Sequence, residues 1–178
     1  MRRIAILTGQ SDPRSAALSP AQADFLDRIR PPDCEVIRTG FPYTENAGYR
    51  DVPILRASVR NARQVLWTFS ESFPKQIGER IDTLSLGVKR LILITGSCGL
   101  QMANAAWPRL TAAAEIQVVA LGPVCLTKLR MPIVAIRGRR DIWSRLMFGG
   151  AIDYHCDCGH LAYWESEEVR ALAGRLVR

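Results

Sequence analysis

At 178 residues the chain can bury one sizeable core, and its 48% hydrophobic and 23% charged content is that of an ordinary soluble globular protein. No apolar run reaches the roughly 20 residues of a membrane span, and the opening MRRIAILTGQSDP carries too short an apolar stretch for a secretory leader, so a cytoplasmic protein is expected. The net charge of +7, from 24 Lys plus Arg against 17 Asp plus Glu, is scattered rather than clustered or interleaved with aromatics. That pattern argues against a nucleic-acid surface and leaves an acidic partner or compositional bias.

No repeat, linker or low-complexity tract divides residues 1–178, so one domain is expected. RRIAILTG reads as a short buried strand ending in a Gly turn. SPAQADFLDRI follows as a helix, with Ser19 at the cap and Pro20 at its first position. CEVIRTG is a second strand. ILRASVRNARQVLWTFSESF places Val59, Ala62, Leu66, Phe69 and Phe73 at helical intervals, with Arg56, Arg60 and Arg63 on another face. FPKQIGERIDTLSLG is a further helix ended by Gly87.

RLILITG is apolar on both faces, as a central parallel strand should be. LQMANAAWPRL is a helix that Pro108 interrupts or closes. EIQVVALG and MPIVAIRG are strands, DIWSRLMF a short helix, AIDYHC a last strand, and ESEEVRALAGRLV an amphipathic helix capped by Ser166. Strands alternating with helices give a three-layer α/β/α sandwich around a mainly parallel sheet of about six strands.

Chemistry in such sheets gathers at the carboxyl ends of the strands. Three ends carry reactive side chains: Thr95-Gly96-Ser97-Cys98-Gly99, then Arg139-Arg140-Asp141, then Asp157-Cys158-Gly159-His160. In chain order they supply Ser, Asp and His. ITGSCGLQMANA is similar to a nucleophile elbow, with small residues around a serine in a tight strand-to-helix turn, although Thr95 stands where a first glycine is usual. With the Gly-x-x-Asp of IRGRRD and the Gly-His-Leu of CGHLAYWE, the chain resembles the α/β-hydrolase family, in a compact form lacking the two strands usually found before RRIAILTG.

The resemblance implies a serine esterase or thioesterase. Ser97 would be the nucleophile, His160 the general base and Asp141 the group that orients the imidazole. The backbone N–H groups of Cys98 and of the Gly9-Gln10 turn, Gln10 in particular, would bind the oxyanion. No cofactor or metal is implied. The interval GPVCLTKLR is too short for a helical lid, which points to an open site. Such a site suits an acyl ester or thioester, including one presented on an acidic acyl carrier protein or coenzyme A, whose charge the Arg row would complement. An acyltransferase using the same triad and a non-catalytic binding protein on the same scaffold are the alternatives. Oligomeric state is open.

Each residue also has a plainer reading. Ser97 could only cap the following helix, and Asp141 could only cap IWSRLMF. A shifted register makes Cys98 the nucleophile, but puts Leu100 where the turn wants a small residue. His155, within the last strand, reads as a core or sheet-face residue. In HCDCGH, Cys156 and Cys158 would share one strand face and His155 and Asp157 the other, so four ligands could not converge on zinc. Neither TGSCG nor TGQSD matches a nucleotide-binding loop. With five cysteines in no framework spacing, free thiols are expected.

Overall fold

The computed structural model describes residues 1–44 and 47–178. Six parallel strands form one sheet: β1 (Arg2–Leu7), β2 (Cys34–Val36), β3 (Arg90–Gly96), β4 (Glu115–Leu121), β5 (Val134–Gly138) and β6 (Tyr154–Cys156). Their spatial order is β2-β1-β3-β4-β5-β6. After β1 the chain turns outward to β2. It then returns past β1 to lay β3 on the other side. The direction of winding therefore reverses between β1 and β3, and a crevice at the carboxyl ends of those two strands follows from that reversal. β1 pairs with β3 from Arg2↔Arg90 to Leu7↔Thr95, and β3 with β4 from Arg90↔Glu115 to Gly96↔Leu121.

The period of two along β3 divides the core. Leu91 and Leu93 face one cluster, with Ile77 and Ile81 of α3 (Ser72–Ser85) and Leu100, Met102 and Ala103 of α4 (Gly99–Ala106). Ile92 and Ile94 face the other, with Phe25, Leu26 and Ile29 of α1 (Pro20–Ile29) and Val169, Leu172 and Ala173 of α6 (Glu167–Leu176). All four β3 side chains are fully buried, each worth about 1.5–3 kcal/mol on removal from water. Helices on both faces complete the three layers.

Local signals set the boundaries. Ser19 and Gln22 form a reciprocal capping box at the start of α1, with Pro20 at its first position. Gly87 takes a φ of +73° just beyond α3, a conformation that favours glycine. α4 tightens at Trp107-Pro108-Arg109 into one 3₁₀ turn, because proline offers no N–H for the next helical bond.

Two expectations change. CEVIRTG supplies only three residues of β2 and AIDYHC only three of β6, the two edges of the sheet. The helix expected over ILRASVRNARQVLWTFSESF ends at Trp67 as α2 (Ile54–Trp67), with Phe73 in α3, and its apolar stripe points outward. Val59, Leu66 and Phe69 are exposed, and the helix meets the protein through Gln64 and Val65, followed by Thr68. Those polar side chains find partners. Gln64 bonds the Gln10 backbone, and Thr68 Oγ1 both accepts from Gln101 Nε2 and donates to Val65 O.

Candidate active site

Ser97 sits directly after β3 with φ +50°, a left-handed conformation unusual for a residue with a side chain. Its backbone is pinned from both sides: Ser97 N donates to Leu121 O and Val124 N donates to Ser97 O. The neighbours must be small for separate reasons. A Cβ on Gly99 would stand 1.9 Å from the Leu7 carbonyl oxygen, and one on Gly96 would stand 2.7 Å from the Trp164 ring. Thr95, in contrast, fits where glycine is usual. Its hydroxyl is buried without a hydrogen-bond partner among the described residues.

The turn aims Ser97 Oγ at His160 Nε2, 2.9 Å away. His160 Nδ1 lies 2.9 Å from each carboxylate oxygen of Asp141. Nδ1 facing a carboxylate is the protonated nitrogen, so Nε2 is free to accept from the serine hydroxyl. Asp141 is fully buried, and three donors converge on it: His160, the Ser144 N–H at 2.9 Å and the Tyr163 hydroxyl at 2.6 Å. Burial alone would raise its pKa. The hydrogen bonds from His160, Ser144 and Tyr163 outweigh burial and hold the carboxyl below its ordinary value. The Ser144 contact also makes Asp141 the N-cap of α5 (Ile142–Met147), so capping and imidazole contact coexist in one side chain.

Four residues enter this arrangement without a signal in the sequence. Tyr163 accepts from Gly138 N at 2.6 Å while donating to Asp141, tying the carboxylate to the end of β5. Gly122, at φ +54°, leaves room for that phenol, since a Cβ there would lie 2.5 Å from the Tyr163 ring. Trp164 covers Gly96 and packs edge-on against Phe25, with centroids 5.3 Å apart. Gln64 is the fourth.

The Thr8–Ser11 turn after β1 borders the serine, and side chains from outside the sheet clamp it. Tyr43 Oη donates to Thr8 O at 3.1 Å, and Arg60 donates to Ser11 O at 2.5 Å. Gln64 Oε1 accepts the Gln10 N–H at 2.8 Å, and its amide nitrogen reaches Gln10 O at 3.4 Å. Of the two backbone donors anticipated for an oxyanion, the Gln10 N–H is thus already engaged. The Cys98 N–H, just before α4, donates to no backbone carbonyl among the described residues.

Ser97 does not cap α4; the N-cap is Cys98, and it makes no side-chain cap bond. The Cys98 thiol is buried in the core against Gly9, and burial pushes its pKa up to about 12. The histidine contact falls to the serine beside it. His155, expected in the core or on a sheet face, is exposed on the edge strand β6, 3 residues long. Cys156 and Cys158 share a side, their Sγ atoms 3.4 Å apart and both buried. The described residues contain no cluster of three or more His, Cys, Asp or Glu side chains able to hold a metal, and all five cysteines are free. Beside the Gln10–Gln64 pair lies a cavity of about 980 Å³, lined among others by Tyr43, Trp67 and Phe73 and not by Ser97 or His160.

The chain has the fold of the α/β hydrolases. It superposes on a protein assigned to the hydrolases of the alpha/beta superfamily, from Xanthomonas campestris pv. campestris. That match has a TM-score of 0.55 and 13% identity, over 99% of this chain and 97% of that one. It likewise superposes on the esterase PE8, with a TM-score of 0.57 and 16% identity, over 99% of this chain and 91% of that one. No protein-family model matches the sequence, and no curated protein matches it. Among the described residues, no helix is long and apolar enough to cross a membrane.

Proposed function

We propose that this chain is a single-domain, cytoplasmic serine hydrolase that cleaves an ester or thioester through an acyl-enzyme intermediate. One observation carries the reading: an unbroken line of contacts from Ser97 Oγ to His160 Nε2, and from His160 Nδ1 to the buried Asp141 carboxylate. Two solved structures of the same fold described as a hydrolase and an esterase support it.

In this reading the Ser97 hydroxyl attacks the substrate carbonyl carbon while His160 Nε2 takes its proton. Asp141 remains ionised and stabilises the imidazolium that forms. The carbonyl electron pair moves onto oxygen, which the Cys98 N–H and the positive end of the α4 dipole stabilise. His160 then returns the proton to the departing alcohol or thiol, leaving an acyl-serine. Water, deprotonated by the same imidazole, releases the acid and restores the serine. An amine or alcohol in place of water would make the reaction an acyl transfer.

The carrier of the acyl group is a finer matter. The basic surface of the chain, with a net charge of +7, would meet the acidic surface of an acyl carrier protein or the phosphates of coenzyme A. Carrier-bound thioesters should then be cleaved faster than short free esters, with an advantage that fades at high salt. Equal, salt-insensitive rates would remove the carrier from the proposal.

The catalytic reading is tested with a fluorophosphonate probe. Wild type should be labelled, Ser97→Ala should not, and His160→Ala should stay folded while losing turnover. Labelling that survives Ser97→Ala but vanishes in Cys98→Ser would move the role to the cysteine. A folded wild type that resists the probe would leave only a binding protein.

A further inference from the structure

The outward face of α2 has a composition that solvent alone does not explain. Leu55, Val59, Ala62, Leu66 and Phe69 recur at alternating intervals of 4 and 3 residues, which keeps them in one stripe along the helix and its end. Exposure is 79% at Leu55, 48% at Val59, 66% at Leu66 and 61% at Phe69. Ile54 and Trp67 are exposed at either end of the helix, and Tyr49 precedes it. A contiguous apolar patch of this kind, bordered by charge, marks a contact surface.

The charge has one sign. Ile54–Trp67 holds three arginines and no acidic residue. Arg60 is tied to Ser11, but Arg56 and Arg63 are exposed and join no ion pair among the described residues. At 100° per residue, both lie on the same flank of the stripe. Two copies meeting antiparallel along the stripe would therefore bring arginine to arginine with no carboxylate on the helix to separate them. The stripe lies on the outer face of α2, away from the face that carries Gln64. The cavity between α2 and α3 is lined by Gln64, Trp67 and Phe73, and by none of Leu55, Val59, Leu66 or Phe69. A ridge of aliphatic side chains with aromatics at its ends and cations along one side fits a plane better than a groove.

We propose that α2 docks on an anionic lipid surface, with Leu55, Val59, Leu66 and Phe69 entering the acyl boundary and Arg56 and Arg63 against headgroup phosphates. Leu55 to Leu66 spans about 16 Å at 1.5 Å per residue, enough for three turns to lie in the interface. Long arginine side chains on the flank reach phosphate while the stripe sinks below them. The same helix clamps the Thr8–Ser11 turn from its opposite face, through Arg60 and Gln64, so docking would hold the helix that fixes that turn.

The test is flotation of the full chain with phosphatidylcholine vesicles containing phosphatidylglycerol, against vesicles of phosphatidylcholine alone. Wild type should float with the anionic vesicles only, and high salt should release it. The pair Arg56→Glu/Arg63→Glu and the pair Leu55→Ser/Leu66→Ser should each cut the bound fraction about tenfold or more. All four positions are exposed, so thermal melts should be unchanged. Ser97→Ala should float like wild type, which separates this proposal from the catalytic one. Wild type that ignores anionic vesicles overturns it, as do variants that float undiminished. A dimer in light scattering that Leu55→Ser/Leu66→Ser dissolves would assign the stripe to a second copy. Saturable binding of an acidic acyl carrier protein, without vesicle binding, would assign it to that partner.

Discussion

The Gln64 side chain accepts the Gln10 N–H at 2.8 Å, the donor that the position of the β1 turn would offer to an oxyanion. A single N–H cannot serve two acceptors at full strength. Gln64 must yield for Gln10 to contribute, or the oxyanion must rely on Cys98. Gln64→Ala should raise kcat on an activated ester while lowering stability by about 1 kcal/mol, the usual net worth of one hydrogen bond. Gln64→Glu keeps the acceptor and adds charge, and should lower kcat. Steady-state kinetics with urea melts checks both. A fall in kcat for Gln64→Ala would show that the clamp positions the turn instead of competing for it.

Tyr163→Phe removes one hydroxyl that serves two groups. The buried Gly138 N–H loses its acceptor and Asp141 loses one of its donors. Stability should fall by about 1–3 kcal/mol, the cost of an unsatisfied buried polar group. The kcat should fall too, with KM little changed, because the lesion lies behind the imidazole and away from the substrate. Thermal melts and ester kinetics on the same preparation read both.

Strain at the serine gives a comparison between two inactive variants. At φ +50° alanine keeps the Cβ penalty and glycine does not. Ser97→Gly should therefore be more stable than Ser97→Ala by about 1 kcal/mol, measured by chemical denaturation.

The depressed Asp141 pKa sets an acid limit. A group whose folded pKa lies below its unfolded value contributes stability above that unfolded value, here 3.8. The contribution is lost as pH falls through the lower folded value. The difference in unfolding free energy between wild type and Asp141→Asn should hold steady at neutral pH and narrow below pH 3.8. Denaturant melts across pH measure it.

Much of this architecture is written locally. Ser19, Pro20 and Gln22 mark α1, and the continuous apolar run of β3 marks a strand covered on both faces. The three strand ends bearing Ser97, Asp141 and His160 are visible because polar side chains follow apolar runs. Periodicity does not say which way a helical stripe points. α2 has an apolar stripe and a polar face, and the polar face is the one turned inward, because Gln10 and Gln101 satisfy Gln64 and Thr68. Tyr163 is equally silent. Its role depends on the turn that brings it under Asp141, and nothing in GHLAYWE has a period to reveal that turn. The Gln10–Gln64 bond spans 54 positions and belongs to tertiary structure alone.

The two halves of the proton path hang on supports of unequal strength. β3, which delivers the serine, is paired along six residues of β1 and seven of β4. β6, which leads to the histidine, is a rim strand joined to β5 through three residue pairs. Local opening begins where a structure is least held. On gentle warming, the imidazole should detach while the middle of the sheet is still intact. Turnover would then fade, and return on cooling, at temperatures below the cooperative melt seen by circular dichroism.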